Sequence, residues 1–117
     1  MADFHAGQIV IADWRDAMPT EPNKLRPAVV IEDDALFGPS YPAVILVPLT
    51  EHAALAVPSL SVPIAPTPEN GCTKPCYALS HFVTAASAAR VRATPSHITA
   101  DELGRIRGQV AIAIGVR

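Results

Sequence analysis

A chain of 117 residues with 50% hydrophobic and 17% charged side chains is long enough to bury one core unaided and too apolar to be disordered. Mean hydropathy is +0.26, yet no apolar run approaches the ~20 residues of a membrane helix. The net charge of −2 excludes a uniformly basic nucleic-acid coat but leaves room for a local basic site. A single domain spanning 1–117 is expected, and the opening Met-Ala-Asp-Phe-His has no basic region leading into an apolar core, so a cytoplasmic protein with no membrane contact is the default. Two cysteines make no disulfide framework, and twelve prolines favour short strands and rigid turns over long helices.

Residues 8–14, opened by Gly7, read as a first strand. Residues 15–26 are polar, charged and interrupted by Pro19 and Pro22, as in a long exposed loop. The continuous apolar runs 27–31 and 43–47 predict strands buried on both faces, the second stopped by Pro48. The short turn-rich link between them predicts an antiparallel pair. Residues 60–64 alternate and contain Pro63, which points to an edge strand. Residues 66–75 form a loop with a tight turn at Asn70-Gly71, and strands are expected over 77–84 and 88–93.

One helix is predicted, beginning at Thr99. Thr99 and Glu102 fit a capping box, and Ile98 with Leu103 fits the hydrophobic staple. Leu103, Ile106, Val110 and Ile114 recur at helical spacing as one apolar stripe, Gly115 serves as C-terminal cap, and the spacing of Gly104 and Gly108 suits close packing on the sheet. Five to seven strands and this helix make a small, bent, mainly β sheet or barrel.

Several pieces, in this order, resemble the MazF/PemK (Kid) toxins of type II toxin–antitoxin systems. They are Gly7-Gln8-Ile9-Val10, a polar loop, Leu25-Arg26-Pro27-Ala28-Val29-Val30-Ile31, Val47-Pro48-Leu49-Thr50, and the capped helix ending in Ile-Gly. The resemblance runs over roughly residues 6–116. It implies an SH3-like barrel of CcdB/MazF type with a C-terminal helix. It further implies a homodimer, sequence-preferring cleavage of single-stranded RNA without metal or other cofactor, and neutralisation by a cognate antitoxin.

Metal-free RNA cleavage uses the substrate's own 2′-hydroxyl as nucleophile, so the site must move protons and stabilise the charge on the phosphorane. Arg26 suits the second task, because its guanidinium is always charged and binds two phosphate oxygens at once. Outside such a site it would be an arginine flanking a strand. Thr50, where a buried strand emerges, offers a hydroxyl to the same phosphate; turn chemistry is the plain alternative. The family's acidic Gln-containing motif falls on Ser80-His81-Phe82-Val83-Thr84, where the acid has become Ser80 and the arginine Val83, and another family arginine falls on Ala78. No role is carried onto those three positions. His81 is the candidate replacement acid/base, because an imidazole titrates near neutrality, and His52 competes with it. His81 is otherwise a structural histidine.

In relatives the loop over 15–25 covers the RNA groove, which makes Arg15, Lys24 and Glu21 candidate RNA contacts, with Trp14 as a stacking platform. Arg90 and Arg92 would extend a basic face. Cys72 and Cys76 with His81 and His97 match no standard zinc spacing. A gyrase-poisoning toxin of the same fold would need a C-terminal Trp-Gly-Ile tail, whereas this chain ends Ile-Gly-Val-Arg. A catalytically degenerate member that binds antitoxin or RNA remains the alternative.

Overall fold

The apolar runs become strands, and where those strands end is set by backbone hydrogen bonding. A computed structural model describes residues 4–13, 25–38 and 40–116. In chain order it contains β1 (Gln8–Asp13), β2 (Leu25–Val30), β3 (Ala43–Thr50), β4 (Ser61–Ile64), β5 (Cys76–Leu79), β6 (Thr84–Ser87), β7 (Val91–His97) and helix α1 (Ala100–Ala113). The strands pair antiparallel in the order β4-β5-β3-β2-β1-β7, with β6 also pairing to β3. The end strands β4 and β7 do not pair with each other, so the barrel is open. The α1 helix is too short to cross a membrane.

Both faces of the central strands are buried, which explains why their sequences do not alternate. Ile9, Val29, Val47 and Leu49 join one core cluster with Val62, Ile64 and Ala78, covered by Ile106 of α1. Their neighbours Val10, Ala28, Val30 and Leu46 face a second cluster with Leu79 and Val91. Residues 28–30 are fully buried, as the apolar run implied. Pro63 lies on β4 at the sheet's edge, where its missing N–H costs nothing.

Several boundaries differ from the sequence reading, and β2 takes in Leu25 and Arg26, the expected end of the preceding loop. The strand expected to stop at Pro48 continues to Thr50. Ile31 N–H donates to Ile45, so odd residues of β3 bond to β2 and even ones face the opposite edge. On that edge β6 pairs with 43–46 and β5 with 49–50, so the nitrogen of Pro48 falls in the gap between them. The same gap splits the strand expected over 77–84. β5 loses its partner beyond Ala78 opposite Leu49, the chain makes a 3-10 turn at Ser80–Phe82, and it rejoins β3 as β6. The segment 88–93 divides likewise into a turn at Ala88–Arg90, with Ser87 Oγ accepting from Ala89 N–H at 3.3 Å, and β7.

The helix starts as expected. Thr99 Oγ1 accepts from Glu102 N–H at 3.0 Å, Glu102 Oε1 accepts from Thr99 N–H at 2.9 Å, and Gly115 takes φ +89° past the end. The stripe is shorter than expected: Ile106 is fully buried and Leu103 and Val110 pack beside it, but Ile114 is 67% exposed. Ile114 is the C-cap residue (ψ 9°), where the chain leaves the helical path. Nor are Gly104 and Gly108 packing glycines, since a Cβ at either would meet no atom within 4 Å. Polar ties complete the docking of α1. Arg107 Nε donates to Ile31 O at 3.0 Å and its Nη2 to Glu32 O at 2.9 Å.

Candidate functional site

Arg26 is the second residue of β2, and Thr50 closes β3. Ala28 faces Pro48 in the last pair of the β2–β3 ladder, and Arg26 and Thr50 each lie two residues beyond it on their strands. Both line a cleft of about 510 Å³ between the β1–β2–β3 surface and the 70–76 loop, with His52, Glu51 and Lys74 on its walls. Thr50 is 2% exposed, and its Oγ1 accepts from His52 N–H at 3.1 Å. That bond occupies an oxygen lone pair and leaves the hydroxyl proton for an acceptor in the cleft. It also ties His52 to the end of β3.

The far wall is held by Asn70, which is 4% exposed. Its Nδ2 donates to Ala65 O at 2.8 Å, and its Oδ1 accepts from Thr67 N–H at 3.0 Å and Cys72 N–H at 2.9 Å. Next to it Gly71 has φ +67°, and a Cβ there would stand 2.8 Å from Ser96 Oγ. Only glycine combines that backbone with that approach to β7. Together these features turn the loop so that Lys74 faces the cleft that holds Arg26. Cys72 and Cys76 lie on the same wall with sulfurs 3.7 Å apart. Burial first, then the neighbouring Cys72 and the charges of Glu51 and Glu102, push the Cys76 thiol up to about 12.

The cleft therefore gathers Arg26, Thr50 and His52 and leaves out His81. His81 lies in the Ser80–Phe82 turn, its ring 4.6 Å edge-on from that of Phe82 and its Nδ1 buried without a hydrogen-bond partner. Ser80 is fully buried: its Oγ donates to Gln109 Oε1 at 2.6 Å, and Gln109 Nε2 donates to Ser61 O at 3.1 Å. Ala78 is fully buried and Val83 packs against the same core. All three positions that depart from the family motif are thus used for packing. Trp14, Arg15, Glu21 and Lys24 lie outside the described residues. Arg90 and Arg92 line a second, shallower hollow of about 290 Å³ that shares Ile11 and Leu25 with the main cleft. Among the described residues no three His, Cys, Asp or Glu side chains stand close enough to hold a metal ion.

Two charged cleft residues were not singled out from sequence. Glu51 had a signal, since it lies between Thr50 and His52. Lys74 had none, because its place depends on the Asn70 hydrogen bonds.

An open small barrel of antiparallel strands with a C-terminal helix is the architecture of the MazF-type fold. Residues 5–114 match the family described as PemK-like, MazF-like toxin of type II toxin-antitoxin system, and the chain belongs to that family. It is similar to a crystal structure of MazF from Deinococcus radiodurans, with TM-score 0.78 and 20% identity over 99% of this chain and 100% of that one. A mycobacterial endoribonuclease in complex with its cognate antitoxin matches at TM-score 0.74 and 16% identity, covering 99% and 98% of the two chains. The Mycobacterium tuberculosis toxin MazF-mt6 matches at 0.73 and 16%, covering 94% and 98%. No curated protein sequence matches the chain.

Proposed function

We propose that this toxin-family chain is an endoribonuclease that cleaves single-stranded RNA without a metal, and that the Arg26–Thr50 cleft is its active site. The observation that carries this reading is that Arg26 and the buried Thr50 line one open cleft. The RNA 2′-oxygen attacks the adjacent phosphorus and loses its proton. The bond from phosphorus to the 5′-oxygen breaks, and that oxygen takes up a proton. The products are a 2′,3′-cyclic phosphate and a 5′-hydroxyl. Arg26 spans two oxygens of the phosphorane, and the Thr50 proton holds a third contact. His52 is the group in the cleft whose type suits proton transfer near neutrality, so it takes the acid/base role in preference to His81. Lys74 meets the backbone of the bound strand, and Arg90 and Arg92 extend the track.

The working unit is a homodimer, and the cognate antitoxin inhibits by occupying the cleft. The test is cleavage of a long RNA in EDTA by wild type, Arg26→Ala, His52→Ala and His81→Ala. Loss of cutting in the first variant, a drop of about 100-fold in the second, and near-normal rates in the third are expected. A strict metal requirement would sink the mechanism. The packing roles of Ala78, Ser80 and Val83 favour one second reading, a binding module that no longer cuts. It prevails if the dimer binds RNA and leaves it intact.

A further inference from the structure

We propose that Cys72 and Cys76 are a redox-modifiable pair on the wall of the Arg26 cleft, and that their oxidation to an internal disulfide moves Lys74 and weakens ligand binding there. The effect on RNA rests on the ribonuclease reading; the formation of the bond does not. The two sulfurs are 3.7 Å apart, and both residues line the cleft. A disulfide needs about 2.05 Å, so about 1.7 Å of closure remains. Cys76 is the fixed partner: it is 6% exposed and pairs with Ile64 as the first residue of β5. The movement therefore falls on Cys72 and on Thr73, Lys74 and Pro75, which the new bond would enclose in a short ring.

The two thiols divide the chemistry. Burial holds Cys76 protonated, with its pKa pushed up to about 12. Cys72 is only half-buried and opens to the cleft, so it reacts first. Its thiolate attacks one sulfur of a low-molecular-weight disulfide such as oxidised glutathione, whose S–S bond breaks and whose other sulfur leaves as a thiolate. Cys76 then loses its proton to water and attacks Cys72 Sγ. The mixed S–S bond breaks, the second small thiolate leaves, and the Cys72–Cys76 bond forms. Two protein thiols are oxidised and one small disulfide is reduced to two thiols. In a reducing compartment such a bond is transient, as a sensor requires.

The experiment treats the reduced full-length protein with oxidised glutathione. Intact mass should fall by two hydrogens, no free thiol should remain, and dithiothreitol should reverse both. Cys72→Ser should stay unreacted, and Cys76→Ser should stop at a glutathione adduct. If buried Cys76→Ser fails to fold, the wild-type mass still decides whether the bond forms. Oxidation should shift the Thr73 and Lys74 amide resonances and weaken binding of a single-stranded RNA oligonucleotide roughly fivefold. A wild-type chain that halts at the adduct, or forms only covalent dimers, overturns the proposal. So does an internal disulfide that leaves those amide shifts, or the affinity of a binding-competent protein, unchanged. A reduced protein that ignores RNA while the disulfide forms and the amides shift refutes the ribonuclease reading and leaves the thiol pair standing.

Discussion

Replacing Asn70 by alanine removes the side chain that holds the far wall of the cleft. Asn70 is 4% exposed and makes three hydrogen bonds, to Ala65 O, Thr67 N–H and Cys72 N–H. Each such bond is worth about 1 kcal/mol net, and alanine also leaves buried backbone groups without partners, so Asn70→Ala should cost about 3 kcal/mol. For a chain of this size that is a fall in Tm of about 12 °C. Urea melts would report the loss as a lower midpoint at constant slope. Amide exchange should speed up first at Cys72, whose N–H loses its acceptor. Lys74 then has no fixed position, so RNA binding should weaken even at temperatures where the variant is folded. A midpoint unchanged to within about 0.5 kcal/mol, with Cys72 still protected, would refute the role given to Asn70.

Gly104→Ala and Gly108→Ala should each stabilise α1 by about 0.5–1 kcal/mol in thermal melts, since the added methyl meets nothing; destabilisation by either would mean that the face is covered. Restoring the family acid with Ser80→Asp should cost more than about 3 kcal/mol in urea melts, because it places a carboxylate at a fully buried site against Gln109 Oε1, and it should not speed RNA cleavage. A well-folded, faster Ser80→Asp enzyme would show that position 80 reaches the site. The Cys76 thiol ionises at about 12 in the fold against 9.0 when free. The unfolded chain therefore holds fewer protons on this thiol between those values, so its contribution to stability is steady below pH 9 and declines toward pH 12, by at most about 1.4 kcal/mol per unit. The difference between wild type and Cys76→Ala should carry that slope, and parallel pH profiles would contradict it.

Local signals marked what local physics decides. The apolar runs of β2 and β3, the edge proline of β4 and the Thr99–Glu102 box could be read directly, because each depends on neighbours within a few residues. The split of 77–84 could not, because it depends on Pro48, some thirty positions away, presenting no N–H to β5. In the site, Arg26, Thr50 and His52 stood at strand ends and were legible as candidates. The choice between His52 and His81 was not, since both are single histidines near a strand and only the tertiary pairing puts one of them in the cleft. Lys74 escaped for the same reason. Its loop is folded by one buried amide, which in sequence is only an asparagine before a glycine.

The change of partner along β3 also separates two jobs that one strand would otherwise couple. Because Pro48 has no N–H to give to this edge, the pairing of β6 with residues 43–46 stops short of the pairing of β5 with residues 49–50. A slip of Thr84–Ser87 along β3 would meet the turn at Ser80–Phe82, where buried Ser80 is held by Gln109, before it could reach β5. Thr50 is paired to Tyr77, on the insulated side of that joint. The proline acts as a joint between two pairings, and the hydroxyl at the end of β3 keeps the place that β5 gives it.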